Sequence, residues 1–402
     1  MARPPLPLLP LLLLLALQLV VAPLPAALAL DSDDQYREVA RVERADGGSA
    51  SASVVEFQPR PGAGADPSGG LGLRLLRYGG CILGARFLAP GFEEYSPFTA
   101  FSLMGDAVAR VAARQRRAGG DLGAERAFLQ LGLGVGVVPQ RAAALFDVVD
   151  AVENSTVVAQ LAREHFGYRA GRVFLADAFS LVLSRAGTGA GADASTCAAE
   201  SCASAPPGSR RYLVVAQDLF LGFNPTHVLR REMFGAIQRH WLHPELGVLV
   251  VNFVGYHRGP QSLFARSVAA TLRADFAAVQ CFRDCSLQHQ PAVATNIFCL
   301  AAQRRELVEI LSPRGAAPDP AKRDIAMDSV NLDWIRDNFE HWRVLEPGAE
   351  GEGGGAEEAL AAAAAAPIQG ELDLAPFAAS FAQVAKDMAA LTRPMLPERL
   401  WL

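Results

Sequence analysis

Several features that would place a protein in a familiar functional class are missing from this sequence. The 402 residues carry a formal net charge of −5 and no basic stripe, which argues against a nucleic-acid or anionic-membrane surface. No residue pattern repeats along the chain. Closely spaced cysteines have no companion histidines, so the sequence predicts no metal site. Hydrophobic residues nevertheless make up 51% of the chain, enough to bury the core of one large domain or two small ones.

A long membrane-spanning run is also missing near the N-terminus. The apolar run Leu11–Ala22 is shorter than the roughly 20 residues that a membrane span needs. Arg3 precedes this run, and Ala27-Leu28-Ala29 has the small-x-small form of a signal-peptidase site. Residues 1–29 are therefore predicted to be a cleaved secretory signal peptide, which implies the endoplasmic reticulum lumen or secretion. An uncleaved signal anchor at the membrane is the alternative.

Cysteines are few, and the six present suit an oxidising compartment. Cys197 and Cys202 lie in a low-complexity loop, and Cys281 and Cys285 are close in sequence, so either pair could close a small disulfide loop. Free thiols are the alternative for both pairs. The single N-glycosylation sequon begins at Asn154.

The rest of the chain alternates strand-like and helix-like segments. Residues 35–90 are predicted to form an N-terminal β-hairpin region, and residues 91–311 alternate short apolar runs with amphipathic runs at helical spacing. This alternation predicts an α/β, Rossmann-like domain whose mostly parallel sheet is covered by helices on both faces. Residues 312–402 are predicted to be a linker followed by C-terminal helices.

Candidate site residues follow the ends of the predicted strands, where open α/β sheets bind their ligands. The first strand of the domain ends in glycines at alternate positions, Gly132, Gly134 and Gly136, which let a backbone pass close to a bulky ligand. The alternative is a tight turn that has no role in ligand binding. The second strand ends at Glu153, at a spacing that suits an acid accepting hydrogen bonds from ribose hydroxyls.

Two further acids follow the next two strands. Asp177-Ala178 ends the third strand, where the aspartate could contact an adenine amino group or merely cap the following helix. Asp218 ends the fourth strand. No Walker lysine follows the glycines, so the pattern predicts a nucleoside pocket that lacks a phosphate-binding loop. The GxGxG form fits an S-adenosylmethionine-type ligand better than a dinucleotide.

Five segments resemble the successive motifs of the spermidine synthase (polyamine aminopropyltransferase) superfamily. They read "LGLGVGVVP", "VENSTVVAQLAREHFG", "VFLADAF", "YLVVAQD" and "FNPTHVLRREMFGAI…LGVLVVNFVG". The resemblance covers about residues 35–302 and is greatest to divergent spermidine-synthase-like members. A related branch is the spermidine-synthase-like domain of eukaryotic elongation-factor methyltransferases. The fold that this resemblance implies is the class I methyltransferase sheet.

The resemblance implies a role for each strand-end acid. Glu153 matches the ribose-binding acid, and Asp177 and Ala178 match the adenine-contacting pair. Asp218 matches the aspartate that helps deprotonate the attacking amine, a step that is needed because a protonated amine has no lone pair. The implied co-substrate is S-adenosylmethionine or its decarboxylated form. His227, at a predicted helix start, is expected near the site mouth, where capping or packing also explains it.

The sequence departs from this family mainly on the acceptor side. Val135 stands where the glycine loop usually carries an aspartate, and Leu221 replaces a second aspartate after Asp218. Gly79 replaces another aspartate, and Pro97-Phe98 fall where a Tyr-Gln pair would bind the polyamine.

These departures leave three functions open. One is aminopropyl transfer to a small-molecule amine, and another is methyl transfer to a protein or small molecule. The third is non-catalytic nucleoside binding. The retained Asp218 favours a transferase, whereas the lost carboxylates favour the second or third function. The frequent dimerisation of family members suggests a homodimer.

Overall fold

The structure is a computed structural model, and it describes the chain over a set of separate ranges. The predicted signal segment, the Cys197–Cys202 loop, Gly79 and Leu221 lie outside them. No helix within these ranges combines the length and apolarity needed to cross a membrane. The described residues are 36–42, 52–58, 72–78, 81–88, 90, 95–119, 125–185, 210–220, 224–284, 294–309, 343–345, 366–369 and 377–392.

The N-terminal region is a four-stranded antiparallel sheet in which each strand pairs with the next along the chain. Side chains of successive residues point to opposite faces of a strand, and both faces of this sheet are covered. Val55 belongs to a core within the region, whereas Val54 packs towards the larger domain. The strands are β1 (Tyr36–Val42), β2 (Ala52–Phe57), β3 (Leu73–Tyr78) and β4 (Cys81–Phe87).

The larger sheet has eight strands in the order β7-β6-β5-β8-β9-β11-β10-β12. Strands β5 to β9 are parallel to one another, and β11 runs antiparallel to both β9 and β10. The order reverses between β5 and β8, which creates a topological switch point at the carboxyl ends of these strands. The strands are β5 (Ala127–Leu131), β6 (Val148–Glu153), β7 (Arg172–Leu175), β8 (Val214–Gln217), β9 (Val248–Gly255), β10 (Ala278–Arg283), β11 (Thr295–Ala302) and β12 (Arg343–Val344).

Helices cover both faces of this sheet. Phe128 and Leu129 are neighbours in β5, yet they belong to separate cores on opposite sides of the sheet, as strand geometry requires. The helices are α1 (Thr99–Gly119), α2 (Val137–Ala142), α3 (Thr156–His165), α4 (Ala178–Arg185), α5 (Arg231–Ala236), α6 (Leu263–Arg273), α7 (Arg305–Val308) and α8 (Ala378–Thr392).

The spacing of apolar residues in "THVLRREMFGAIQRHWL" predicts a single amphipathic helix. This prediction is wrong, because the structure divides the segment into three pieces. A 3₁₀ turn at Thr226–Leu229 is followed by α5 and a π-helical turn at Ile237–Trp241. Arg230 separates the first two pieces with extended backbone angles of −89° and 158°. This break leaves the Arg231 amide free of the preceding turn, and the amide donates to the Ile368 carbonyl at 2.9 Å instead.

The C-terminal helix packs on the larger domain. Phe381 contacts Phe264 of α6 edge-to-face, with ring centroids 4.7 Å apart. Asp387 accepts hydrogen bonds from the Tyr256 hydroxyl and the Ala294 amide, which fixes α8 against the ends of β9 and β11.

The disulfide found in the structure differs from the predicted pairing. Cys281 of β10 bonds to Cys299 of β11, so it is not available to Cys285, which lies outside the described residues. The antiparallel register explains this choice, because it places Cys281 directly opposite Cys299. Both residues are buried.

Candidate active site

A cavity of about 170 Å³ lies at the carboxyl ends of the parallel strands, at the switch point between β5 and β8. The structure brings six of the seven predicted site residues to this cavity. Its lining includes Gly132, Gly134, Glu153, Asp177, Ala178 and Asp218.

The glycine loop approaches the neighbouring strand very closely. Gly132 has a φ angle of 84°, and a Cβ atom there would lie 2.2 Å from the Asp218 carbonyl oxygen. Gly136 has a φ angle of 79°, precedes α2 and does not line the cavity. A Cβ atom at Gly136 would lie 2.6 Å from the Tyr168 ring. Gly136 therefore serves the start of the helix, whereas Gly132 and Gly134 form the cavity wall.

Glu153 is held rigidly at the end of β6, where only 8% of its surface is exposed. Its carboxylate accepts hydrogen bonds from the backbone amides of Leu133, at 3.1 Å, and Ser155, at 2.9 Å. Burial raises the pKa of Glu153, and these backbone donors act in the opposite direction. A carboxylate has about four lone-pair sites for hydrogen bonds, and the Glu153 carboxylate lines the cavity.

Asp177 both lines the cavity and caps a helix. Its Oδ1 atom accepts a hydrogen bond of 2.8 Å from the Ser180 amide in the first turn of α4. This is the helix-capping role that the sequence left open. The side chain is exposed, whereas Ala178 beside it is buried.

Asp218 follows β8 and receives a hydrogen bond of 2.8 Å from Nδ2 of Asn252. Burial raises the pKa of Asp218 to about 6, and the hydrogen bond from Asn252 partly offsets this effect. Such a carboxyl group exchanges its proton near neutral pH, which is the property required of a general base.

Two asparagines that line this cavity were not identified as site residues from the sequence. Asn252 in "VLVVNFVG" and Asn296 in "TNIFCLAA" lie in β9 and β11, and Asn296 Oδ1 accepts from Asn252 Nδ2 at 3.4 Å. The available signal was a lone amide within an otherwise apolar strand. His227 lines the cavity as expected, and its ring meets Phe179 edge-to-face with centroids 5.1 Å apart.

Two of the departures from the family pattern can be located in the cavity region. Val135 is buried and packs with Val137 and Leu161 between the glycine loop and the N-terminal sheet. A Cβ atom at Gly84 of β4 would lie 2.8 Å from Val135, so the glycine makes room for the valine. Phe98 lines the cavity itself, as a hydrocarbon ring without hydrogen-bonding atoms.

No group of three or more histidine, cysteine, aspartate or glutamate side chains in the described ranges is arranged to hold a metal ion. The lining of the cavity places charged atoms at a few fixed positions on a largely apolar wall, which is the pattern of an organic ligand site.

The strand order β7-β6-β5-β8-β9-β11-β10, with β11 reversed, defines a class I methyltransferase-like fold, as predicted. The antiparallel N-terminal sheet is added to this fold.

Comparisons with known proteins found similarity to solved structures alone. No protein-family profile and no curated protein sequence matches the chain. Among solved structures, a probable spermidine synthase from Corynebacterium glutamicum ATCC 13032 is 16% identical, with a TM-score of 0.46, over 79% of this chain and 94% of that one.

Two further solved structures illustrate the range of similar proteins. Human methyltransferase-like protein 13 in complex with SAH is 20% identical, with a TM-score of 0.35, over 58% of this chain and 89% of that one. A spermidine synthase in complex with the transition state analogue AdoDATO is 11% identical, with a TM-score of 0.41, over 68% and 74% of the two chains. The fold assignment itself rests on the strand order.

Proposed function

We propose that this protein is a transferase that binds S-adenosylmethionine or its decarboxylated form in the cavity and transfers a carbon group from the sulfonium to an acceptor. The observation that carries the proposal is the convergence of Glu153, Asp177 and Asp218 on one cavity. These acids follow three different parallel strands, and two glycines of the intervening loop complete the wall.

The two ends of the cavity support different parts of the reaction. Glu153 offers a fixed carboxylate to two adjacent hydroxyl donors, which is the pattern that a ribose presents. Asp177 lies on the neighbouring strand, within the same lining, as a candidate partner for an adenine amino group. Asp218, on the other side of the glycine loop, is placed to take the proton of an attacking nucleophile.

Titration calorimetry with S-adenosylmethionine, decarboxylated S-adenosylmethionine and methylthioadenosine tests the binding step. Glu153→Gln should weaken affinity for these nucleosides by about tenfold or more, because a charged hydrogen-bond acceptor contributes about 1.5–3 kcal/mol. Glu164→Gln is the matched control, since Glu164 is exposed on α3. Thermal melting of both variants shows whether the fold is retained.

The proposal fails if the wild-type protein binds none of the three nucleosides, or if Glu153→Gln binds them as tightly as wild type. Detection of a transferred methyl or aminopropyl group in an acceptor separates an enzyme from a non-catalytic nucleoside-binding protein. The acceptor is a small-molecule amine or a protein in this proposal.

We also propose that the protein acts in the secretory pathway. The disulfide between Cys281 and Cys299 supports this location, because structural disulfides persist mainly in oxidising compartments. A homodimer is proposed only by analogy with the family, and sedimentation analysis of the purified protein tests it.

A further inference from the structure

The acceptor end of the cavity differs chemically from its nucleoside end. At the nucleoside end, Glu153 is the last residue of β6 and Asp177 follows β7. At the acceptor end, Asp218 follows β8, and Asn252 and Asn296 lie in β9 and β11. Asp218 is the one carboxylate that the described residues contribute to this second end. Its neighbours on the next two strands are neutral amides.

Aromatic side chains also line the cavity. Phe220 follows Asp218 by two residues, and Tyr78 at the end of β3 also lines the cavity. Phe98 and Phe101 face each other edge-to-face with ring centroids 6.1 Å apart. The described lining therefore gives the acceptor end one negative charge, within a cavity that also has a broad hydrocarbon surface.

We propose that the acceptor is an amine with a single charged nitrogen on an apolar body, such as an arylalkylamine, and not a polyamine. This inference rests on the proposed transferase function and specifies its substrate class. One carboxylate balances one ammonium group. Among the described lining residues, the second ammonium group of a diamine would lie beside neutral amides and hydrocarbon rings, where an unpaired charge is costly.

The two asparagines orient Asp218 and complete the site for a single nitrogen. Asn252 donates to Asp218 and lies within reach of Asn296, so the carboxylate is fixed from the side of β9. The Oδ1 atom of Asn252 is buried and has no hydrogen-bond partner among the described residues. An N–H group of the bound amine would supply the donor that this oxygen lacks.

The transfer step balances without a metal or a redox partner. The Asp218 carboxylate takes a proton from the amine, and the nitrogen lone pair attacks the carbon attached to the sulfonium. The C–S bond breaks with its electron pair moving to sulfur. The products are the N-alkylated amine and a neutral thioether nucleoside, and the proton leaves from Asp218 to solvent.

A competition between amines tests the proposal. The full chain is incubated with labelled S-adenosylmethionine, and separately with its decarboxylated form, in the presence of 2-phenylethylamine, tryptamine, putrescine or spermidine. Mass spectrometry identifies the alkylated product. We expect kcat/KM for 2-phenylethylamine to exceed that for putrescine by about tenfold or more, which corresponds to about 1.4 kcal/mol of discrimination.

A charge-adding variant tests the reason for this selectivity. Asn296→Asp places a second carboxylate at the acceptor end and should reduce the preference for the monoamine by about tenfold, which is about 1.4 kcal/mol. Gln160→Glu adds the same charge on the exposed face of α3 and should leave the preference unchanged. Unchanged nucleoside binding by Asn296→Asp shows that the variant is folded.

Higher kcat/KM for putrescine or spermidine overturns the proposal, as does transfer to a protein acceptor only. Nucleoside binding without turnover of any amine in the panel also overturns it, while the binding step of the proposed function stands. Loss of nucleoside binding in the wild-type protein is a failure of the proposed function itself.

Discussion

At the scale of single residues, Asp218 combines burial with an orienting hydrogen bond, and its pKa is raised to about 6. A carboxyl-carbon NMR titration should show a midpoint near this value, and Asp218→Asn identifies the resonance. Asn252→Ala removes the donor that stabilises the ionised form, so the midpoint should move to higher pH. Asp147 is the internal reference, because Arg126 lowers the pKa of this exposed aspartate. Coincident midpoints for Asp147 and Asp218 would contradict the assignment.

The Asp218 carboxylate should lower the stability of the fold near neutral pH while it supports turnover. The folded-state pKa of Asp218 lies above the unfolded value of about 4, so its contribution to stability declines as pH rises from about 4 to about 6. Asp218→Asn should therefore raise the melting temperature at pH 7.5 and have less effect at pH 4. Turnover should fall by about a hundredfold, since the general base is lost, with nucleoside affinity nearly unchanged. A variant that keeps wild-type turnover excludes Asp218 as the base.

Gly132 and Gly259 allow two costs of a glycine substitution to be separated. Both have positive φ angles, 84° and 71°, but a Cβ atom at Gly259 meets nothing within 4 Å. Gly259→Ala should cost about 1–2 kcal/mol through backbone conformation alone. Gly132→Ala should cost a further 1–3 kcal/mol or so, because its Cβ collides with the Asp218 carbonyl oxygen. Urea denaturation measures both values, and equal losses would show that the close approach is unimportant.

At the scale of elements, the disulfide joins two strands at the end of the larger sheet. Cys281 and Cys299 are separated by 18 residues in sequence, for which loop-closure entropy predicts about 3 kcal/mol of stabilisation. The Cys281→Ala/Cys299→Ala double variant should lose about this amount in urea denaturation. Cys81→Ala is the control, because Cys81 lies in β4 of the separate N-terminal sheet. No loss in the double variant, or an equal loss in the control, contradicts a stabilising disulfide.

The strand-end acids of this fold were predictable from the sequence, whereas their supporting residues were not. Glu153 and Asp218 follow apolar runs, so the alternation of strands and helices was enough to place them at one edge of the sheet. The Cys281–Cys299 pair depended on the register of two antiparallel strands, which no local pattern encodes. Asn252 is relevant only because β8 and β9 are neighbours, a tertiary fact that its own segment does not reveal.

At the scale of the whole molecule, the proposed secretory location raises the question of whether the sequon at Asn154 is glycosylated. Asn154 is exposed at the cavity, next to Glu153, so a glycan there would obstruct the proposed ribose site. We expect Asn154 to remain unmodified in protein produced through the secretory pathway of cultured cells. Treatment with a glycosidase should leave the mass unchanged. A mass shift that disappears in Asn154→Gln would contradict this and would make the nucleoside site at Glu153 untenable.

The packing of Val135 also limits how this chain can change over evolutionary time. The valine fills space beside Gly84 and joins the N-terminal sheet to the loop that lines the cavity. Val135→Asp would bury a carboxylate among Val137, Val158 and Leu161, at the cost of an unpaired charge in an apolar core. Because the neighbouring side chains would have to change first, a single substitution cannot place a carboxylate at this point of the glycine loop without a loss of stability.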